Sequence, residues 1–161
     1  MPWILGIFIL MVLDQGVKYL IVARLSKSEF IPVINHFFYL TYWENRGAAW
    51  GIMQNKRTIL LLVTLLAIVL LAYLLKKSES KLSSYAITMI MGGALGNFID
   101  RVFREGGVVD FLLFQFGNYE FPAFNVADML IVSGTVLLVL ATIIEAKKEK
   151  AIRTHSNEEQ E

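Results

Sequence analysis

Apolar residues gather into four long runs at about 2–23, 58–75, 82–101 and 124–144, separated by segments with a different rhythm. A helix needs about 20 mostly apolar residues to cross a hydrocarbon layer roughly 30 Å thick. Thr58 to Leu75 and Leu82 to Ile99 contain no ionisable residue and are bounded by charges: Lys56 and Arg57, Lys76 and Lys77, Lys81, then Asp100 and Arg101. The first run reaches membrane length only by passing through Asp14 and Lys18, and the last contains Asp128. Acidic Asp14 stands where a cleaved leader would carry a small-residue cleavage site, and no basic stretch precedes the run, so the first segment reads as a retained helix.

The intervening segments differ in kind. Residues 30–52 are dense in aromatic and β-branched side chains, among them Phe37, Phe38, Tyr39, Thr41, Tyr42 and Trp43. That composition favours strands, and Trp and Tyr prefer the headgroup zone, so a small sheet lying on the membrane is expected, with Trp43 and Trp50 near lipid. Residues 102–123 read as a second loop on the same side. The predicted fold is therefore an all-α integral membrane protein, a four-transmembrane-helix bundle with a small extracytoplasmic β-sheet platform, forming a single domain over residues 1–146. Residues 147–161, polar and ending in Glu158, Glu159 and Glu161, read as a disordered cytoplasmic tail.

Composition agrees with burial in lipid. Of 161 residues 56% are hydrophobic and 18% charged, against about 25% charged in a soluble domain, and mean hydropathy is +0.56. A net charge of +1 offers no global attraction to nucleic acid. Having no cysteine removes disulfides, thiolate metal sites and a cysteine nucleophile. Lysines at 76, 77 and 81, and four basic residues between 147 and 153, mark the cytoplasmic side. Both termini are then inside, and segments 26–57 and 102–123 lie outside.

Charges within the spans are expensive and call for explanation. Asp14 and Lys18 are four apart with the acid first, the favourable order for an ion pair on one helical face; a structural pair and a role in holding substrate both satisfy this. Asn97, Asp100 and Arg101 share the last turn of the third run, and Asn125 and Asp128 the first turn of the fourth. Asp110 lies in an apolar stretch after Gly106 and Gly107. Neither H-E-x-x-H nor G-x-S-x-G occurs, and His36 and His155 fall on opposite predicted sides, which disfavours histidine-based metal or serine chemistry. Two aspartates brought close together share a proton and can act as base and acid toward water and a carbonyl. Three outer acids compete for that role, Asp100 least, because adjacent Arg101 is expected to hold it ionised.

The chain resembles the lipoprotein signal peptidases, or type II signal peptidases, over nearly its whole length. The motifs stand in family order: Asp14-Gln15-x-x-Lys18, Glu44-Asn45-Arg46-Gly47-Ala48-Ala49, Gly96-Asn97-x-x-Asp100-Arg101, Val108-Val109-Asp110-Phe111, and Phe121-Pro122-x-Phe124-Asn125-x-Ala127-Asp128. The resemblance implies that Asp110 and Asp128 are the catalytic pair. It further implies that Asn97, Asp100, Arg101 and Asn125 support them or the substrate, and that Asp14, Lys18, Asn45 and Gly47 line the site. Arg46 and Met129 depart from the residues common in relatives and bear on pocket shape. The implied substrate is a diacylglyceryl-modified prolipoprotein, cleaved before its lipidated cysteine, in the bacterial cytoplasmic membrane. Membrane lipids are the only other partner expected, the enzyme working as a monomer with no metal or cofactor. The 30–51 sheet would form a platform and the 102–119 region a mobile lid. Two other readings stand beside this one. An ion-coupled transporter or channel would use Asp14, Lys18 and Asp128, with N-x-x-D at Asn97/Asp100 echoed at Asn125/Asp128; a lipid-binding scaffold would explain the aromatics but not the acids.

Overall fold

A computed structural model describes residues 2–48 and 52–158, with side chains through residue 151. Four long helices cross in the predicted places: α1 (Pro2–Arg24), α2 (Arg57–Lys77), α3 (Lys81–Phe103) and α4 (Val126–Glu158). Between them lie β1 (Phe30–Ile34), β2 (Phe38–Asn45), β3 (Val108–Phe116) and β4 (Tyr119–Glu120). All four helices are long and apolar enough to span a membrane.

The helix α3 is the axis of the bundle and packs against the other three. Its small residues make this possible, since small side chains let helix backbones approach closely in lipid. A β-carbon on Gly92 would collide with Leu10 of α1, and one on Gly93 with the Ala127 carbonyl of α4. Ile7, Ile87 and Met91 fill the α1/α3 seam. By contrast α2 buries only Leu60, leaving its leucines and valines to face lipid. Ser80 caps the start of α3 by accepting from the Ser83 backbone N–H.

The strands form one antiparallel sheet in the order β1-β2-β3-β4. Every residue of β1 is exposed although the strand reads Phe-Ile-Pro-Val-Ile, as suits an edge lying against lipid. The other face of the sheet closes on α1, where Ile21 packs with Tyr42, Val109 and Phe111. Stacked and edge-to-face rings of Phe37, Phe38, Phe114, Phe116, Phe121 and Phe124 tie the strands to the segment that enters α4. That segment is also pinned by backbone bonds, with Phe124 donating to the Leu112 carbonyl (3.0 Å) and Phe111 and Leu112 both donating to the Phe124 carbonyl (3.0 and 2.8 Å).

Three expectations are corrected. The 102–123 segment is not simply a loop: β3 is an interior strand of the sheet, with Val108, Val109 and Phe111 nearly inaccessible. Its alternation was masked because Val108 through Phe111 is buried throughout, so the run lacks the period of a one-sided strand. Residues 147–158 continue α4 as helix in place of a disordered tail; their Lys, Glu and Ala residues are good helix formers. Asp100 is not held by Arg101, as described below. Trp43 is half-exposed at the sheet surface, whereas Trp50 lies outside the described residues.

Candidate active site

One buried cation organises the end of the bundle that carries the sheet. The Lys18 ammonium meets Asp14 Oδ2 at 2.9 Å, Asp100 Oδ2 at 2.8 Å and Asn97 Oδ1 at 2.8 Å. These three contacts use its three protons. Lys18, Asp14 and Asp100 are all fully inaccessible. Each acid is then completed by other elements. Asp14 Oδ1 accepts from the Ala127 N–H at 2.9 Å, one of the free donors in the first turn of α4. Asp100 accepts from Arg104 Nε at 3.0 Å and from the Val109 N–H at 3.3 Å, linking α3 to β3. Gln15 Nε2 reaches Asp100 Oδ1 and the Gly96 carbonyl. Two carboxylates thus face two cations, and the network is neutral, which a buried ion cluster requires to offset desolvation.

Arg101 points elsewhere. Its guanidinium donates to the Gly47 carbonyl at 3.2 Å and to the Asn97 carbonyl at 3.5 Å. Although the i, i+3, i+4 spacing put Asn97, Asp100 and Arg101 on one side of the helix, the structure divides them: Asp100 faces Lys18, Arg101 faces the cavity, and Asn97 bridges the two, with Oδ1 on Lys18 and Nδ2 on Asp128 at the cavity wall. Arg104, four residues after Asp100 in the same acid-first order as Asp14/Lys18, was the legible partner that adjacency to Arg101 obscured.

Two further carboxylates are presented by amides whose orientation is forced. Asn97 must turn Oδ1 toward Lys18, which only donates, so its Nδ2 donates to Asp128 Oδ1 at 2.8 Å. Asn125 Oδ1 accepts from the Asp128 N–H at 3.0 Å while Asp128 Oδ2 accepts from the Asn125 N–H at 3.2 Å. This is a reciprocal capping box at the start of α4. With its oxygen committed, Asn125 donates through Nδ2 to Asp110 Oδ1 at 2.6 Å. The other Asp110 oxygen accepts from Asn45 Nδ2 at 3.0 Å, and Asn45 Oδ1 accepts from the Gly47 N–H at 2.9 Å. The N-x-x-D echo at 97/100 and 125/128 therefore consists of two unrelated devices, an ion-cluster face and a helix cap.

Asp110 and Asp128 line one cavity of about 850 Å³ together with Asn45, Asn97 and Arg101. Its remaining wall is largely apolar, including Phe30, Leu113, Phe124, Met129, Ile131 and Val132. Met129 thus shapes the cavity directly, while Arg46 lines a smaller recess beside it with Arg57 and Glu105. Burial, and after it the neighbouring Asp128 charge, pushes the Asp110 carboxyl up to about 7 against the pull of its two asparagine donors. Among the described residues no group of three or more His, Cys, Asp and Glu side chains is arranged to hold a metal.

Four membrane-length apolar helices closed at one end by a sheet, with two carboxylates on one largely apolar cavity, define a polytopic membrane protein with a candidate site at that end. The chain belongs to the signal peptidase II family: the model of Signal peptidase (SPase) II matches residues 6–144. A lipoprotein signal peptidase of Bacillus pumilus (strain SAFR-032) is 44% identical over 149 residues, covering 91% of this chain and 96% of the relative. A bacterial membrane enzyme solved by the in meso method at 2.3 Å superposes with a TM-score of 0.83 at 35% identity, covering 91% of this chain and 90% of the other. A second such structure, at 1.9 Å, gives a TM-score of 0.78 at 36% identity, covering 88% and 92%. The protein is thus a protease and a multi-pass bacterial membrane protein.

Replacing Lys18 leaves two buried acids facing one remaining cation. Lys18→Met is expected to cost ~3–5 kcal/mol of stability, read as a lower midpoint in detergent thermal unfolding, with Lys18→Arg also impaired because its planar fork cannot reproduce three convergent contacts.

Proposed function

We propose that this chain is an aspartic endopeptidase that removes the signal peptide from diacylglyceryl-modified prolipoproteins, cutting just before the lipidated cysteine, with Asp110 and Asp128 as its catalytic pair. The observation that carries this reading is that two carboxylates from different elements, each held by an asparagine amide, face one cavity whose remaining wall is largely apolar. The family match and the name borne by the Bacillus relative supply the substrate class.

The chemistry follows from the charges. Two adjacent carboxylates in a dry cavity hold one proton between them, leaving one negative charge opposite Arg101. The ionised member takes a proton from water as the water oxygen bonds to the scissile carbonyl carbon, and the protonated member gives its proton to the carbonyl oxygen. Collapse of the tetrahedral intermediate breaks the C–N bond: the leaving amine receives the proton taken from water, and one hydroxyl of the intermediate returns its proton to the carboxylate that gave it as the carbonyl re-forms, which restores the singly protonated pair. Which aspartate starts protonated belongs to the pair and not to either residue. Asn97 and Asn125 keep both carboxylates aimed throughout, since their own orientations are set by Lys18 and by the α4 backbone. Arg101, anchored on Gly47, stands where it can meet the substrate backbone.

The apolar wall suits acyl chains entering sideways between helices. Lys76, Lys77 and Lys81 lie at the end of the bundle opposite the sheet, and the positive-inside rule supports a cytoplasmic location for that end. The sheet and the catalytic pair then sit at the outer face, with both termini inside. One chain supplies every residue of the site, so a monomer suffices.

Two outcomes test this. Purified protein should cleave a diacylglyceryl-modified prolipoprotein on a gel, while folded Asp110→Asn and Asp128→Asn each lose about 10²–10⁴-fold in rate; equal cleavage by the wild type and both variants would remove the pair. The second outcome is pH dependence. Because Asp110 titrates near 7 and activity needs the shared proton, kcat/KM should fall as pH rises through about 7. Asn45→Ala removes a bond that favours the ionised Asp110, so it should move that limb to higher pH.

A further inference from the structure

Thr41 stands out as a polar group that the fold buries without employing. It is 2% exposed, and its Oγ1 is the buried side-chain oxygen with no hydrogen-bond partner among the described residues. It lines the same cavity as Asp110 and Asp128. Buried hydroxyls are almost always paired within the protein, so an unpaired one on a cavity wall is aimed at whatever fills the cavity.

The backbone around it is irregular in a way that serves this aim. Between Leu40, opposite Leu112, and Trp43, opposite Asp110, β2 carries two residues where β3 carries only Phe111. Thr41 and Tyr42 therefore form a β-bulge, which re-aims side chains relative to regular alternation. The consequence is visible in where the two point. Tyr42 packs into the core with Ile21, Val109 and Phe111, while Thr41 lines the cavity two positions before Trp43, the partner of Asp110. The bulge thus places a hydroxyl within a few residues of the reacting carboxylate on the sheet side, where Phe30, Trp43, Val108 and Leu113 also line the wall.

We infer that the Thr41 hydroxyl donates a hydrogen bond to a carbonyl oxygen of the bound substrate and so is a substrate-positioning contact on the sheet side of the site. This rests on the proteolytic reading above. A substrate of that class offers such a carbonyl from two sources, an ester of the diacylglyceryl group or a peptide carbonyl near the scissile bond. The chemistry is the same in both cases.

The free protein makes an unusual forecast for such a residue. With no partner to lose, Thr41→Val should leave the thermal midpoint unchanged or raise it, because an apolar isostere replaces an unsatisfied hydroxyl. In the complex the same substitution removes a bond. The test compares wild type, Thr41→Val and Thr41→Ser, measuring thermal midpoint, cleavage of diacylglyceryl-modified prolipoprotein, and equilibrium binding of that precursor to the same three chains carrying Asp128→Asn. Thr41→Val should lower kcat/KM and weaken binding by roughly 3- to 10-fold with no fall in midpoint, and Thr41→Ser should restore both. Repeating the series with precursor carrying ether-linked chains assigns the source: a penalty that vanishes places the bond on an acyl ester, and one that persists places it on the peptide. Unaltered binding and cleavage by Thr41→Val, or a loss of activity matched by a lowered midpoint and not rescued by serine, overturns the inference. If the parent chain neither binds nor cuts the precursor, the substrate assignment itself fails and this contact falls with it.

Discussion

The Lys18 ammonium is the point on which the site turns. It sits with no exposure at the meeting of α1 and α3, and spends its three donors on Asp14, Asp100 and Asn97. Each of those partners then fixes something different. Asp14 holds the first turn of α4, Asp100 holds the start of β3, and Asn97 holds Asp128. An ammonium buried this deeply is costly by itself, and the cost is offset only when every contact is present. The cluster therefore behaves as a single assembled unit that brings three helices and the sheet into one register.

From that register the positions of the two cavity carboxylates, Asp110 and Asp128, follow by hydrogen-bond logic. An amide has one acceptor end and one donor end, and in both Asn97 and Asn125 the acceptor end is already taken, by Lys18 in one and by the Asp128 backbone in the other. Only donors remain to face Asp128 and Asp110. An aspartate in the place of either asparagine would present oxygen to oxygen and repel the carboxylate it should hold. The capping box at Asn125 adds an economy, since the bond that starts α4 also sets the direction of Asp128. The proposed hydrolytic chemistry would thus rest on two ordinary structural devices, a helix cap and a buried ion cluster, beside a largely apolar cavity.

Much of this was legible in the residues. The four spans announce themselves by length and by the charges that bound them, and Asp14/Lys18 by spacing alone. The aromatic density of residues 30–52 correctly signalled strands. Less visible was β3, because a strand buried along Val108–Phe111 has no polar alternation to display, and a Gly-Gly start suggests a loop. The last turn of α3 misled for another reason. Asn97 stands between Asp100 and Arg101 around the helix, so Asp100 turns to Lys18 and Arg101 to the cavity, and sequence spacing does not say which neighbour each meets. The cap at Asn125 could have been read from N-x-x-D before an apolar run, and Arg104 from its place four residues after Asp100. The Thr41 bulge could not, since it depends on how two strands far apart in sequence come into register.

The central claim is that Asp110 and Asp128 act as one unit sharing one proton. The most direct measurement is a double-substitution cycle on kcat/KM with folded Asp110→Asn, Asp128→Asn and the combined variant. A shared function predicts that the combined variant is no slower than either single one, because removing one member already abolishes the unit. Losses that multiply would show that the two carboxylates act independently and would contradict the coupled pair.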